Sequence, residues 1–218
     1  MKNHPDLSTL LAYSSGTLRT PFALLVSSHI EKCHECSGLY NLGHEIGGKL
    51  IEEIETRDVE ESDYSIFLEK LDKESKKNKI NDKGYDFNRK SLIPGVLQPY
   101  IGQDLEDIKW SFLAFGIKKC QVKVGDGEDN LLTLLKIKSN KKIPEHGHTG
   151  SELTLVLQGS FDDEHGSYKV GDIAEHNGES KHQPFVSSKE DCICIISTDG
   201  PLIFNNYLAN KLQSFIRI

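Results

Sequence analysis

The sequence lacks any basic cluster larger than a pair of lysines, such as Lys76-Lys77 or Lys141-Lys142. Its formal net charge is −7. A protein that binds nucleic acid through the phosphate backbone needs a basic face, so we expect no direct nucleic-acid partner. An acidic chain is better suited to a basic protein partner.

Long apolar segments are also missing. The first residues, from Met1 to Pro5, contain no apolar core of a signal peptide. No later run approaches the length that spans a bilayer, and the chain shows no internal repeat. We therefore expect a cytoplasmic protein that is neither exported nor inserted in a membrane.

The chain lacks the even set of cysteines that is typical of a secreted disulfide scaffold. It has five, at positions 33, 36, 120, 192 and 194. In a reducing compartment, closely spaced cysteines near histidines indicate metal ligands or redox groups.

The first part of the chain has the apolar spacing of helices. Helix starts are predicted near Pro5 and Thr20, where proline fits a first turn. A third helix from about Glu35 to Glu55 and a fourth around Tyr64 to Leu71 follow. We predict a small all-α domain over residues 1–72, with an acidic fourth helix.

Residues 73–92 are rich in Lys, Asn and Asp and poor in large aliphatic side chains, which is typical of a linker. Short β-rich runs separated by turn residues follow, as in Leu131 to Ile137 and Leu153 to Leu157. Residues 93–218 are therefore predicted to form an all-β sandwich or barrel. The fold class is a multidomain α + β chain.

One candidate metal site lies in the helical part. His29, Cys33 and Cys36 form His-x3-Cys-x2-Cys, so all three would face one way on a helix. Two thiolates at this spacing bind one tetrahedral zinc ion, and His4 is the natural fourth ligand. Such an ion would hold a small helical domain together.

An alternative is that these are ordinary buried thiols and a surface histidine. His34 and His44 are also available as ligands, but we interpret both as surface residues.

A second candidate site lies in the β part. His146, His148 and Glu152 form His-x-His-x3-Glu and share parity, so paired strands can direct them into a barrel. His182 is the expected fourth ligand from a neighbouring strand. This donor set suits zinc, iron, manganese or nickel. With Gly159 following, the spacing resembles the cupin motif, which implies a jelly-roll barrel.

The alternative is a set of polar residues scattered along a strand. His165 and His176 are interpreted as exposed loop residues, with His176 held in reserve if His182 is not a ligand.

Together, and in this order, the two motifs resemble the ChrR family of zinc-binding anti-sigma factors. The resemblance covers nearly the whole chain, from His4 through the cupin half to the stretch around Cys192 and Cys194. It implies that the helical domain binds between the two domains of a group IV (extracytoplasmic-function, ECF) sigma factor and blocks its binding to RNA polymerase. It also implies that the cupin half responds to singlet oxygen or related oxidants.

Two other functions remain open from the sequence. One is a metal-dependent cupin enzyme, of the dioxygenase or isomerase type, with an appended zinc module. The other is a scaffold whose cupin serves only in dimerisation. The acidic helical zinc module favours the regulator, because a metabolic cupin has no evident use for it, and we expect no enzymatic activity. Cys192 and Cys194 are either core residues or a redox-sensitive pair.

Overall fold

The structure is a computed structural model that describes residues 3–77, 87–88, 90–125, 130–178 and 180–204. Four helices occupy the first part, as predicted: α1 (Leu7–Ser14), α2 (Thr20–Ile30), α3 (His34–Glu52) and α4 (Glu61–Lys77). Half of the predicted linker, residues 78–86 and 89, lies outside the described residues.

A short helical segment, which the sequence did not indicate, precedes the strands. It consists of a 3-10 turn at Gly95–Leu97, helix α5 (Gln98–Ile101) and a second 3-10 turn at Leu105–Asp107. Pro99 fits the first turn of α5, and Gly102 ends it with a φ of 96° that favours glycine. The first strand therefore begins only at residue 111.

The rest of the described chain is β structure, which confirms the predicted fold class. The strands are β1 (Ser111–Ala114), β2 (Ile117–Lys123), β3 (Leu131–Ile137), β4 (His146–His148), β5 (Glu152–Gln158), β6 (Ser160–Asp162), β7 (Ser167–Lys169), β8 (Ile173–His176), β9 (Lys181–His182), β10 (Cys192–Thr198) and β11 (Leu202–Phe204). A six-stranded antiparallel sheet has the order β1-β2-β3-β10-β5-β8, and a smaller sheet has the order β11-β4-β9. Strands β6 and β7 form a hairpin.

The two faces of the six-stranded sheet contribute side chains to two different hydrophobic clusters. On β5, Leu153 and Leu155 join a cluster with side chains of α1 and α2, whereas Val156 joins a second cluster inside the barrel. Alternation along a strand produces this division, because successive side chains point to opposite faces. The face toward the barrel interior also carries Glu152 and Thr154, both buried.

Helices α1 and α2 therefore pack directly on the barrel, which the sequence did not indicate. Leu10, Leu25 and Val26 are buried in the same cluster as the sheet residues. Polar contacts add to this packing, because the Glu175 carboxylate of β8 accepts hydrogen bonds from the backbone N–H of Asp6 (2.8 Å) and the hydroxyl of Thr9 (2.6 Å). One hydrophobic core thus spans both halves of the chain.

Helices α3 and α4 are different, because their apolar side chains are exposed. Ile46 is 51% exposed and Phe67 is 57% exposed. The helical pattern of these residues was predicted, but most of their apolar surface is left uncovered within the part of the chain that the structure describes. No helix in the described part combines the length and the apolar character needed to cross a membrane.

Candidate metal centres and their setting

The structure brings the four predicted residues of the first site together. The Nδ1 atom of His4 lies 3.3 Å from His29 Nε2, 3.4 Å from Cys33 Sγ and 3.3 Å from Cys36 Sγ. Zinc bonds of about 2.0–2.3 Å place the ligand atoms of a tetrahedral site roughly 3.3–3.8 Å apart. The three distances from His4 fall in this range, and all four donor atoms lie within 4.8 Å of one another.

Each element contributes to this geometry. His4 precedes α1, His29 closes α2, and Cys33 and Cys36 lie at the start of α3. The Nδ1–H of His29 donates to the carbonyl oxygen of Gly171 at 2.7 Å, so its Nε2 lone pair faces the cluster. The barrel therefore orients a candidate ligand of the helical site.

Burial sets the electrostatics of the first site. It lowers the pKa of His29, which keeps the imidazole neutral, as metal ligation requires. Burial and the neighbouring Cys33 raise the pKa of Cys36 to about 12. A thiolate is therefore unfavourable here without a cation, which fits a structural metal site. His34 and His44 are exposed, as expected for surface residues.

The second cluster lies inside the barrel and contains three of the four predicted residues. His146 of β4 and His182 of β9 are register partners with their Nε2 atoms 3.0 Å apart. His148 Nε2 lies 3.2 Å from His182 Nε2. All three side chains are buried, and these spacings are slightly shorter than the roughly 3.3–3.8 Å between the ligand atoms of a tetrahedral zinc site.

The other nitrogen of each imidazole faces an oxygen atom. The Nδ1–H of His146 donates to the Pro144 carbonyl at 2.9 Å, and His182 Nδ1 lies 3.0 Å from Asp163 Oδ2. His148 Nδ1 lies 3.4 Å from Glu152 Oε2, although it forms no aligned hydrogen bond. The three Nε2 atoms are thereby left to converge on one point.

The predicted ligand Glu152 is buried beside the cluster, against the outer nitrogen of His148. Thr154 also donates a hydrogen bond to its carboxylate, at 3.2 Å. Burial raises the pKa of Glu152. Its assignment as the fourth ligand stays a prediction, because its carboxylate does not share the point on which the three Nε2 atoms converge.

Two further residues adjoin this cluster. Asp163, at the end of β6, was not predicted, and His176 was interpreted as an exposed loop residue. That interpretation of His176 was wrong, because it lies on β8 with only 3% of its surface exposed. It points to the barrel interior because it alternates with Glu175, which faces α1. His165 is exposed in a loop, as expected.

A local signal for Asp163 was present in the sequence. The run Asp163-Glu164-His165-Gly166 is a turn pattern in which an aspartate accepts from its own backbone.

Burial also governs the pKa values of this cluster. It lowers the pKa of His146 to about 4 and that of His148 to about 3, with the neighbouring imidazoles acting in the same direction. Burial alone would raise the pKa of Asp163, but contacts with His176 and His182 lower it below its usual range. His146 and His148 are thus held neutral beside an ionised Asp163 carboxylate, which suits a divalent cation.

Cys192 and Cys194 alternate on β10 and are buried in the core inside the barrel. The contact with Cys192, together with burial, raises the pKa of Cys194 well above its ordinary value. Both thiols therefore resemble core residues more than reactive thiolates.

Comparisons with known proteins agree with both halves of this structure. A family model described as the ChrR Cupin-like domain matches residues 99–202. A chain in the crystal structure of Rhodobacter sphaeroides SigE in complex with the anti-sigma ChrR aligns with a TM-score of 0.72 and 32% identity. That alignment covers 91% of this chain and 99% of the other.

The anti-sigma-E factor ChrR of Cereibacter sphaeroides is similar along its whole length. It is 34% identical over 218 residues, which is 100% of this chain and 99% of the relative. This similarity confirms the prediction of a regulatory protein rather than an enzyme. By its full-length identity and by its arrangement of a helical cysteine–histidine cluster before a cupin barrel, this chain belongs to the ChrR family of anti-sigma factors.

Proposed function

We propose that this chain sequesters a group IV (ECF) sigma factor through the exposed faces of α3 and α4 and so keeps it from RNA polymerase. The observation that carries the proposal is the uncovered apolar surface of these two helices. Exposed apolar patches of this kind mark interaction sites, because they leave water only when a partner covers them. The related SigE–ChrR complex supports the choice of partner.

The apolar side chains follow one face of each helix. On α3, Leu42, Ile46 and Leu50 recur at spacings of four residues and are 50%, 51% and 60% exposed. On α4, Tyr64 and Phe67 are 59% and 57% exposed. This is the pattern of an amphipathic helix that fills a partner's groove.

Acidic side chains surround the same helices and are exposed. They are Glu52, Glu53, Glu55, Asp58, Glu60, Glu61 and Asp63. A basic surface on the sigma factor would be attracted by them, which increases the association rate and disfavours acidic partners.

A double variant on α3 tests the proposal. Leu42→Asp with Ile46→Asp removes two apolar side chains, each contributing roughly 1.5–3 kcal/mol when buried. A loss of about 4 kcal/mol corresponds to sigma-factor binding weakened about 1,000-fold. Asn41→Asp, which changes an exposed polar side chain of the same helix, is the matched control and should bind normally.

The measurement is titration calorimetry with the full chain and the sigma factor. Equal affinities of the double variant and the native chain would exclude the exposed face of α3 as the contact surface.

We further propose that the first cluster holds a structural zinc ion, bound by His4, His29, Cys33 and Cys36. Four protein donors leave no open position, which suits a structural rather than a catalytic ion. The ion would tie the segment before α1 to the ends of α2 and α3.

The barrel cluster of His146, His148, His182 and Glu152 would hold a second divalent ion, zinc being the first candidate. We propose that this half senses oxidative stress, such as singlet oxygen, and that the protein acts in the cytoplasm.

Strand β8 offers a route between the two halves. Glu175 contacts α1, and the next residue, His176, lies in the barrel cluster. The Gly171 carbonyl just before β8 contacts the zinc-site residue His29. A change at the barrel centre would therefore bias the packing of α1 and α2, which is what release of a bound partner requires.

A further inference from the structure

Asp163 lies between two buried imidazoles of the barrel. Its Oδ2 atom is 3.0 Å from His182 Nδ1 and 3.3 Å from His176 Nε2, and its side chain is fully buried. Neither Asp163 nor His176 belongs to the His-x-His-x3-Glu motif that predicted the metal site. Both groups therefore require an explanation of their own, because a buried carboxylate is retained only where its charge is compensated.

The surrounding loop fixes the direction of this carboxylate. Its other oxygen, Oδ1, accepts hydrogen bonds from the backbone N–H groups of His165 at 2.8 Å and Gly166 at 3.0 Å. These bonds close the turn after β6 and leave Oδ2 directed toward His182. The orientation of Asp163 is thus determined by the backbone and does not depend on a bound ion.

The carboxylate in turn determines the tautomer of His182. A neutral imidazole has one N–H and one lone pair, and an ionised carboxylate can only accept. The proton of His182 therefore sits on Nδ1, where it is donated to Asp163. The lone pair is left on Nε2, which faces His146 Nε2 at 3.0 Å and His148 Nε2 at 3.2 Å.

We infer that Asp163 is the positioning residue of the barrel metal centre, holding His182 in the only tautomer that can share an ion with His146 and His148. Carboxylates that accept from the outer nitrogen of a ligating histidine tune metal sites in this way. His176 lies against the same oxygen and limits its movement. The inference rests on the proposed metal binding in the barrel.

A competing arrangement is a separate ion held by Asp163, His176 and His182, whose donor atoms also lie close together. It would require His182 to lose both ring protons, because its Nε2 atom already faces His146 and His148. The two arrangements differ in the number of ions bound per chain.

Asp163→Asn separates a positioning role from a structural one, because the side chain keeps its shape. The amide oxygen can still accept from the two backbone N–H groups and preserve the turn. The amide NH2 group then faces His182 and can only donate. His182 is then favoured to accept on Nδ1 and to carry its proton on Nε2, where the proton must be displaced before an ion can bind.

Asp162→Asn is the matched control. It removes one negative charge at the preceding residue, which is the last residue of β6 and lies outside the cluster.

Two measurements on the full chain test the inference. In metal-free protein labelled with 15N-histidine, NMR should show the Nδ1–H tautomer of His182 in the native chain and in D162N, and the Nε2–H tautomer in D163N. Competition with a chelator should then show D163N binding Zn2+ in the barrel about 10–100-fold more weakly than the native chain. Loading with Co2+ distinguishes the sites, because only the first site contains thiolates and gives their near-ultraviolet absorption.

The outcomes separate this inference from the proposed function. A native barrel that binds no ion would overturn this inference and the proposed metal binding in the barrel, but not sigma-factor binding through α3 and α4. Normal metal binding in the native chain with an unchanged tautomer and affinity in D163N would overturn the positioning role alone. Three ions per native chain, falling to two in His176→Ala, would overturn it in favour of a separate ion site.

Discussion

Removal of the Glu175 carboxylate should weaken metal binding at a site to which Glu175 does not belong. Helix α1 receives no cap from its own Asp6 side chain. Glu175 of β8 replaces this cap by accepting from the N–H of Asp6 and the hydroxyl of Thr9. His4, a residue of the first cluster, lies two positions before Asp6. The variant Glu175→Ala should therefore loosen the segment that holds His4.

The size of the effect follows from the bonds that are lost. Hydrogen bonds to a charged group contribute about 1.5–3 kcal/mol each, and a negative charge at a helix N-terminus adds about 0.3–1 kcal/mol. Because Glu175 is half-buried and partly screened by solvent, we take about 2 kcal/mol for the whole contact. If all of it reaches the first site, Zn2+ affinity there falls roughly 30-fold.

Chelator competition on the full chain measures this change, and amide hydrogen exchange in α1 reports the loosening directly. Glu175→Gln keeps an acceptor and should give an intermediate loss. Glu190→Ala, an exposed glutamate in the loop before β10, is the control and should bind as the native chain does. The reasoning would be refuted if Glu175→Ala showed faster exchange in α1 but bound Zn2+ at the first site within twofold of the native affinity. The loosening of α1 would then not affect the metal site.

Two further predictions concern the barrel centre. Replacement of both His146 and His148 with Ala should lower the metal content by one ion per chain and keep the thiolate absorption of the Co2+-loaded first site. The variant should still bind the sigma factor but should no longer release it under oxidant. Normal release by the variant would show that the oxidant is sensed at another site. In metal-free folded protein, the pKa values of His146 and His148 are lowered to about 4 and about 3. As the pH falls, these two imidazoles are therefore protonated in the unfolded chain before they are protonated in the folded chain. Stability should therefore drop from about pH 6.5 towards pH 4, and equal Tm values at pH 7 and pH 5 would contradict this assignment.

The parts of the molecule that the sequence predicts well depend on local spacing. His29, Cys33 and Cys36 are close along the chain, and they converge across the short break between α2 and α3 rather than along one continuous helix. The strands around Leu131 to Ile137 and Leu153 to Leu157 follow from β-rich runs bounded by turns. The His146 and His148 pair is likewise a two-residue spacing on one strand.

Other features depend on contacts between distant segments. The burial of His176 follows from the pairing of β8 with β5, and the contact of Glu175 with α1 joins residues more than 160 positions apart. The apolar faces of α3 and α4 could not be fully predicted from the sequence for a different reason. An amphipathic pattern predicts that one face of a helix is covered, but it does not identify what covers that face. Here the described part of the chain leaves that face exposed.

The position of β8 at the end of the six-stranded sheet has a consequence for solubility. An edge strand offers unpaired backbone groups to other chains, and proteins protect such edges by covering them. Here the segment before α1 does so, because the N–H of Ile173 donates to the carbonyl oxygen of Asn3 at 3.3 Å. Any rearrangement that lifts α1 from the barrel would uncover this edge. A released or misassembled chain would then be prone to aggregate through β8 until the N-terminal segment returned.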